Sequence, residues 1–399
     1  MSEIAIKDVC IGIYDGPHAT PSISQNGGIF LGISNITKEG HFDFSDIKYI
    51  SEDDLPKWTK RVTPQSGDIV FSYEATLNLY AIIPKGFHGC LGRRMALIRT
   101  DKTKVDNKYL FYYFFSKKWR NLIAERTITG STVDRIPIST FPNFPIDLPP
   151  LPTQHRIATI LSRYDDLIEN YQRQIKLLEE AAQRLYKRWF VDMKFPGHEN
   201  AKIVDGVPEG WEKKKLTNLV DVQYGYAFDG HLFNSKGEGK PIVRIRNIPD
   251  GYTNDYTTEE TNESYIVNDG DILVGMDGIF HINTWCGGKA YLVQRACSFR
   301  PKEIGMKGFI LQAIYAPIKY FENTVVGATV AHLGKKHIDS IELLVSNNQK
   351  LYMPFENMFN KKQMLNSQIR LLIEARDRLL PKLMSGDYFD EFNKRQSVM

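Results

Sequence analysis

The chain has 399 residues, 42% of them hydrophobic and 25% charged, with a net charge of +4, a composition ordinary for two to four folded domains. No apolar run approaches the roughly 18 residues needed to span a bilayer. The start, MSEIAIKDVC, lacks the charged-then-apolar pattern of a secretory signal, so a cytoplasmic protein is expected. Residues 196–345 carry 16 basic against 19 acidic side chains, so any contact with a polyanion has to come from local basic patches. Cys10, Cys90, Cys286 and Cys297 form no CxxC pair and no metal-ligand spacing, and read as reduced thiols.

Residues 1–150 alternate short β-rich runs, such as GDIVFSY (67–73), with Gly, Asn and Asp breaks. A helical pattern, NKYLFYYFFSKKWRNLI (107–123), accompanies them, and the mixture reads as α+β. Pro149, Pro150 and Pro152 close this segment. Over residues 151–195, apolar positions then recur in alternating steps of four and three: Ile157, Leu161, Tyr164, Ile168, Tyr171, Ile175, Leu178, Ala182, Leu185 and Trp189. That is the seam of a long heptad helix, predicted to stop at Pro196 and Gly197. Residues 196–345 return to β-rich runs, among them KPIVRIRNI (240–248). Residues 346–399 carry a second seam: Leu351, Phe355, Met358, Lys362, Leu365, Ile369, Leu372, Arg376, Leu379 and Leu383. Lys362 and Arg376 interrupt its apolar stripe. Pro354 falls in the first turns, where proline costs least, and Gly386 is the expected stop.

The second half repeats the first. QIKLLEEAAQRL (174–185) matches QIRLLIEARDRL (368–379) at eight positions, among them Gln174, Leu177, Glu180, Ala181 and Arg184. Upstream, ERTITGSTVDRI (125–136) resembles ENTVVGATVAHL (322–333). SGDIVFS (66–72) resembles DGDILVG (269–275), and LGISNI (31–36) resembles VRIRNI (243–248). Four blocks in the same order make a duplication. Each narrow seam suits another helix better than a broad core. The expected architecture is therefore two similar α+β domains separated by two long antiparallel coiled-coil helices, with a pseudo-two-fold internal repeat. A helix of about 38 residues would extend about 57 Å and hold the two heads apart.

No sequence signature of catalysis emerges. There is no G-x-x-x-x-G-K-[ST], no G-x-G-x-x-G after a strand and no H-E-x-x-H. GEGKP (237–241) is too short for a phosphate loop and lacks its hydroxyl. Two readers at a fixed separation suit a split DNA site. The alternatives are a coiled-coil scaffold with protein-binding heads and a stand-alone DNA-modifying enzyme.

The stretch from PPLPTQHRIATIL through KRWFVDMKFPG (149–197) resembles the central spacer of specificity subunits from type I restriction–modification systems. RLLPKLMSGDY (378–388) resembles their C-terminal ending, and PEGWEKKKLTNLV (208–220) their entry into a target-recognition domain. The resemblance covers essentially the whole chain. It implies target-recognition domains at 1–150 and 196–345, a central spacer helix at 151–195 and a C-terminal spacer helix and tail at 346–399. It also implies a non-catalytic subunit that binds double-stranded DNA and two methyltransferase subunits, joined by restriction/motor subunits. S-adenosylmethionine, ATP and Mg2+ would sit on those partners.

Side chains able to read bases or grip phosphates pick out the candidate DNA contacts. In the first domain these are His18, Thr20, Ser34, Asn35, Lys38, Arg93, Arg94, Thr129 and Ser131. In the second they are Tyr224, Tyr226, Arg244, Arg246, Asn247, His281 and Arg295. Arg188, Trp189 and Phe190, at the end of the first long helix, are the candidate subunit-docking residues.

Overall fold

A computed structural model describes residues 2–130, 133–324 and 331–385. The chain divides into two units, one formed by Met1–Leu167 with Leu372–Met399 and the other by Ile168–Leu371.

In the first unit, Cys10–Asp15, Met95–Thr100, Ile69–Ser72 and Tyr80–Ile82 form an antiparallel four-stranded sheet in that order. A second sheet sets Gly28–Leu31 between Tyr49–Ile50 and a parallel Gly89–Leu91. In the second unit, Val220–Tyr224, Ala296–Pro301, Ile272–Gly275 and Ile282–Thr284 repeat the four-stranded sheet in the same order. Helices Asn107–Tyr113 and Lys117–Arg126 pack on the first sheet and Lys307–Ala313 and Tyr315–Thr324 on the second, so each unit is α+β.

The matching sequence blocks have local physical causes. Gly67 and Gly270 take left-handed φ values of 94° and 85°, conformations that suit glycine. The aspartate that follows closes each turn. Asp68 accepts from the Gln65 N–H at 2.8 Å, and Asp271 from the Asn268 N–H at 2.9 Å. Both carboxylates are buried, and each pairs with an arginine on the neighbouring strand, Arg99 at 2.7 Å and Arg300 at 2.6 Å. Unpaired charges at these depths would be costly, so the arginines recur with the aspartates. Three of the four cysteines are buried free thiols and Cys10 is half-buried.

The long helices run over Leu151–Tyr186 and Met353–Ser385. Pro354 stands in the first turn of the second, as its sequence position suggests. Pro381 lies inside the same helix, and Gly386 is outside the described residues. In the first unit, Ile157, Ala158 and Leu161 share a core with Leu383 and Met384. In the second, Leu185, Tyr186 and Trp189 pack with Phe355 and Met358 around Phe309. In both units, later residues of one helix meet earlier residues of the other, which is antiparallel packing. The helices therefore pack on each other and also build into the unit cores.

The charged seam positions do not weaken this packing. Arg376, 11% exposed, pairs with Asp165 at 2.7 Å, and Asp165 also accepts from the Tyr112 hydroxyl at 2.5 Å. Lys362, 8% exposed, pairs with Glu179 at 2.6 Å.

Candidate DNA interface and docking stripe

In the first unit, a loop cluster gathers around Asp15 and Glu74. Asp15 pairs with His18 at 2.9 Å and with Arg61 at 2.6 Å. Gly16 donates its N–H to the Met95 carbonyl at 2.7 Å. A Cβ there would stand 2.5 Å from the Gly92 carbonyl oxygen, so only glycine allows the approach. Glu74 pairs with Arg94 at 3.1 Å and forms a β-bridge with Arg135. Tyr73, beside them, has its hydroxyl pushed above the usual range by burial and by the charges of Asp15 and Glu74, with Arg61 and Arg93 opposing. His18, Arg93 and Arg94 are thus brought to one place. Thr20, Ser34, Lys38 and Thr129 are exposed, Thr20 in the same loop as His18 and Ser34 in the 3-10 turn Ile33–Asn35, and Ser131 lies outside the described residues.

Asn35 and Asn247 require a correction as base readers. Asn35 is buried; its Oδ1 accepts from the Gly32 N–H, and its Nδ2 donates to the carbonyls of Asp43 and Asp46. Asn247 accepts from the Arg244 N–H and donates to Asp255. Each closes a 3-10 turn at the end of a strand, Ile33–Asn35 and Ile245–Asn247, and its hydrogen-bonding groups are committed there.

The remaining candidates of the second unit divide in the same way. Arg246 donates to both oxygens of Asp255. Partial burial raises the Asp255 carboxyl, but the bonds from Arg246 and Asn247 outweigh that and hold it below the usual carboxylate range. Arg244 lies over the Phe233 ring at 5.3 Å. Tyr226 packs against Phe228 and Tyr265. Tyr224 is half-buried with its hydroxyl pushed up to about 12, mainly by burial, and His281 is half-buried. Arg295 is exposed and pairs with Asp277 at 2.9 Å, and Asp277 also binds the His332 ring at 2.5 Å.

Sequence reasoning missed Arg61, Glu74, Arg135 and His332 as members of these clusters. The repeat held a signal: Glu74 and Asp277 each follow the Gly-Asp strand at the same distance.

The docking candidates also divide. Arg188 is exposed and Trp189 half-buried. Phe190 is 4% exposed, packed on Trp211, Phe309 and Tyr352. It cannot serve as an exposed contact, because the helix widens into a π-turn over Lys187–Val191 and turns that ring into the core. A better surface lies one to three turns earlier. Leu177, Glu180, Ala181 and Arg184 are identical to Leu371, Glu374, Ala375 and Arg378, and their i, i+3, i+4, i+7 spacing places them on one helix face. Leu177 is 60% and Leu371 59% exposed. The Glu–Arg pairs bond along each helix, Arg184 to Glu180 at 3.3 Å and Arg378 to Glu374 at 2.6 Å.

Each unit is thus a copy of one α+β fold with an arginine-bearing loop cluster, and each contains part of both long helices. The family profile described as type I restriction modification DNA specificity domain matches residues 6–180 and 208–370. The chain belongs to that family, the specificity subunits of type I restriction–modification systems. It is 26% identical over 356 residues to the type I restriction enzyme MjaIX specificity subunit of Methanocaldococcus jannaschii, covering 85% of this chain and 81% of that one. It is 22% identical to the HindI specificity subunit of Haemophilus influenzae, covering 87% and 91%. The crystal structure of a type I S subunit from M. genitalium aligns over 96% of this chain and 95% of its own, with a TM-score of 0.53 at 17% identity, and shares the fold. The chain is accordingly a non-catalytic, DNA-recognising subunit. Among the described residues, no helix is long and apolar enough to cross a membrane.

Proposed function

We propose that each unit reads one half of a bipartite DNA site and that the two long helices serve as the coiled-coil spacer that also carries the partner subunits. The observation that supports this best is the duplication of the arginine loop cluster, one per unit, at equivalent places in the fold. The first cluster sets Arg61, Arg93, Arg94 and Arg135, with His18 beside them, against Asp15 and Glu74, an excess of positive charge. It supplies a local patch in a chain of mild net charge, which is what phosphate contact needs.

The exposed stripe repeated identically on both helices supports docking of two copies of one partner, a DNA methyltransferase subunit. A surface used twice for the same protein has reason to stay the same twice. Restriction/motor subunits complete the assembly. S-adenosylmethionine, ATP and Mg2+ are then bound by these partners, in the cytoplasm. Methylome sequencing of cells expressing the chain with its methyltransferase is the test. The expected result is a two-part motif whose halves are exchanged independently when one unit is swapped. A single contiguous motif, or a swap that changes both halves, would overturn the reading.

A further inference from the structure

The arginine clusters of the two units agree well beyond their sequence similarity. Arg94 and Arg295 both take left-handed conformations, with φ of 69° and 66°, which a long side chain rarely adopts without a compensating purpose. The same three backbone hydrogen bonds frame each one. The Tyr73 N–H donates to the Arg94 carbonyl, and the Met276 N–H to the Arg295 carbonyl. The Ala75 N–H donates to the Asp134 carbonyl, and the Gly278 N–H to the Ala331 carbonyl. The Ile136 N–H donates to the Tyr73 carbonyl, and the Leu333 N–H to the Met276 carbonyl. Ala75 and Gly278 share even the same φ of 68°. A largely buried carboxylate then holds each guanidinium, Glu74 on Arg94 and Asp277 on Arg295. A basic residue type stands opposite that carboxylate in each β-bridge, Arg135 in one unit and His332 in the other. A glycine-dependent loop closes over both turns, through Gly16 onto Met95 and through Gly225 onto Ala296.

The surfaces around these arginines differ. The residue just before is Arg93 in one unit and Gln294 in the other, both exposed. The loop closing over the turn brings His18 and Arg61 in the first unit and Tyr226 in the second. One arginine is thus kept in a strained conformation, by the same bonds, within two otherwise different surfaces. Such a residue serves something both DNA halves have in common. Base edges vary with sequence, whereas the phosphodiester backbone does not.

We infer that Arg94 and Arg295 are equivalent phosphate anchors, one per unit, positioned by Glu74 and Asp277, and that sequence discrimination is made by their neighbours. The carboxylate fixes the direction of the guanidinium, whose five N–H donors exceed what one carboxylate can use. This inference rests on the DNA-reading function proposed above.

The test uses Arg94→Gly and Arg295→Gly in the full chain co-purified with its methyltransferase. Glycine accepts the left-handed turn without strain, so both variants keep the fold, which thermal melts check. Binding is measured over a range of salt on cognate DNA and on DNA altered in either half-site. Each variant should lower the slope of log affinity against log salt by about 0.9, the value for one phosphate contact on duplex DNA. Cognate and altered sites should weaken by the same factor. A variant that loses discrimination at one half-site would show that its arginine reads a base, and an unchanged slope and affinity would show that it does not touch DNA; either overturns the inference alone. A parent complex that binds all sequences equally would instead overturn the DNA-reading function, and the salt slope of each variant would still decide the anchors.

Discussion

Replacing Arg376 by methionine should destabilise the first unit far more than replacing Arg376 and Asp165 together. The guanidinium is 11% and the carboxylate 16% exposed, 2.7 Å apart. Arg376→Met leaves Asp165 buried with only the Tyr112 hydroxyl as partner. Breaking a buried pair from one side costs about 3–5 kcal/mol, and the Tyr112 bond retains part of that, so about 3 kcal/mol is expected. With a urea slope of about 3 kcal/mol per molar, the unfolding midpoint falls by about 1 M. Asp165→Leu costs less, about 2 kcal/mol, because Asp377 still accepts from Arg376 at 2.9 Å. The double variant should lie within about 1 kcal/mol of the parent, since an apolar pair avoids the desolvation cost of two charges. Urea melts of the four proteins complete the cycle. Costs that simply add, with a coupling below about 0.5 kcal/mol, would refute the claim that these two charges depend on each other.

Phe190→Ala should cost about 3–5 kcal/mol of stability as a core truncation, whereas Arg188→Ala should stay within about 0.5 kcal/mol; urea melts decide, and a neutral Phe190→Ala would contradict its placement. Leu177→Asp combined with Leu371→Asp should abolish co-purification with the methyltransferase while the circular dichroism melt is unchanged, and intact assembly would remove the stripe as a docking surface. Asp255 has its folded carboxyl held below the ordinary range, raised by partial burial but lowered further by Arg246 and Asn247. Its contribution is therefore present above the unfolded carboxylate range and lost as pH falls through the lowered folded value. Asp255→Asn should be less stable than the parent near neutral pH, with the gap closing as the solution is acidified; a gap independent of pH would show that the charge is not what matters.

The duplicated α+β design and the two long helices were legible in the sequence because they depend on local signals: heptad spacing, proline stops and four ordered blocks. The roles of single polar residues were less legible, because a side chain that can read a base can equally close a turn. Asn35 and Asn247 illustrate this. Their recurrence in LGISNI and VRIRNI marks the same 3-10 turn in both units, and the repeat itself argued for a structural role. Arg94 and Arg295 recur too, but they remain at the surface, and the carboxylates that hold them come from other strands. Phe190 was misplaced for a geometric reason. Heptad counting assumes about 100° per residue, and the π-turn at Lys187–Val191 breaks that count.

The charged positions of the second seam carry the most information about pairing. In an antiparallel pair, a slip of seven residues keeps apolar faces together and shifts the helices by about 10 Å. Apolar residues alone therefore discriminate poorly between registers. In the observed register Arg376 meets Asp165 and Lys362 meets Glu179. A slip of seven in one direction would set Arg376 opposite Ala158 and Lys362 opposite Gln172; in the other direction they would face Gln172 and Tyr186. Both slips take the two buried cations away from Asp165 and Glu179 and leave Arg376 only its chain neighbour Asp377, at a cost of several kcal/mol. The interruptions of the apolar stripe thus penalise the registers that the stripe permits, at little cost to the one adopted. The double variant Asp165→Leu with Arg376→Met, although close to the parent in stability, should lose part of this discrimination.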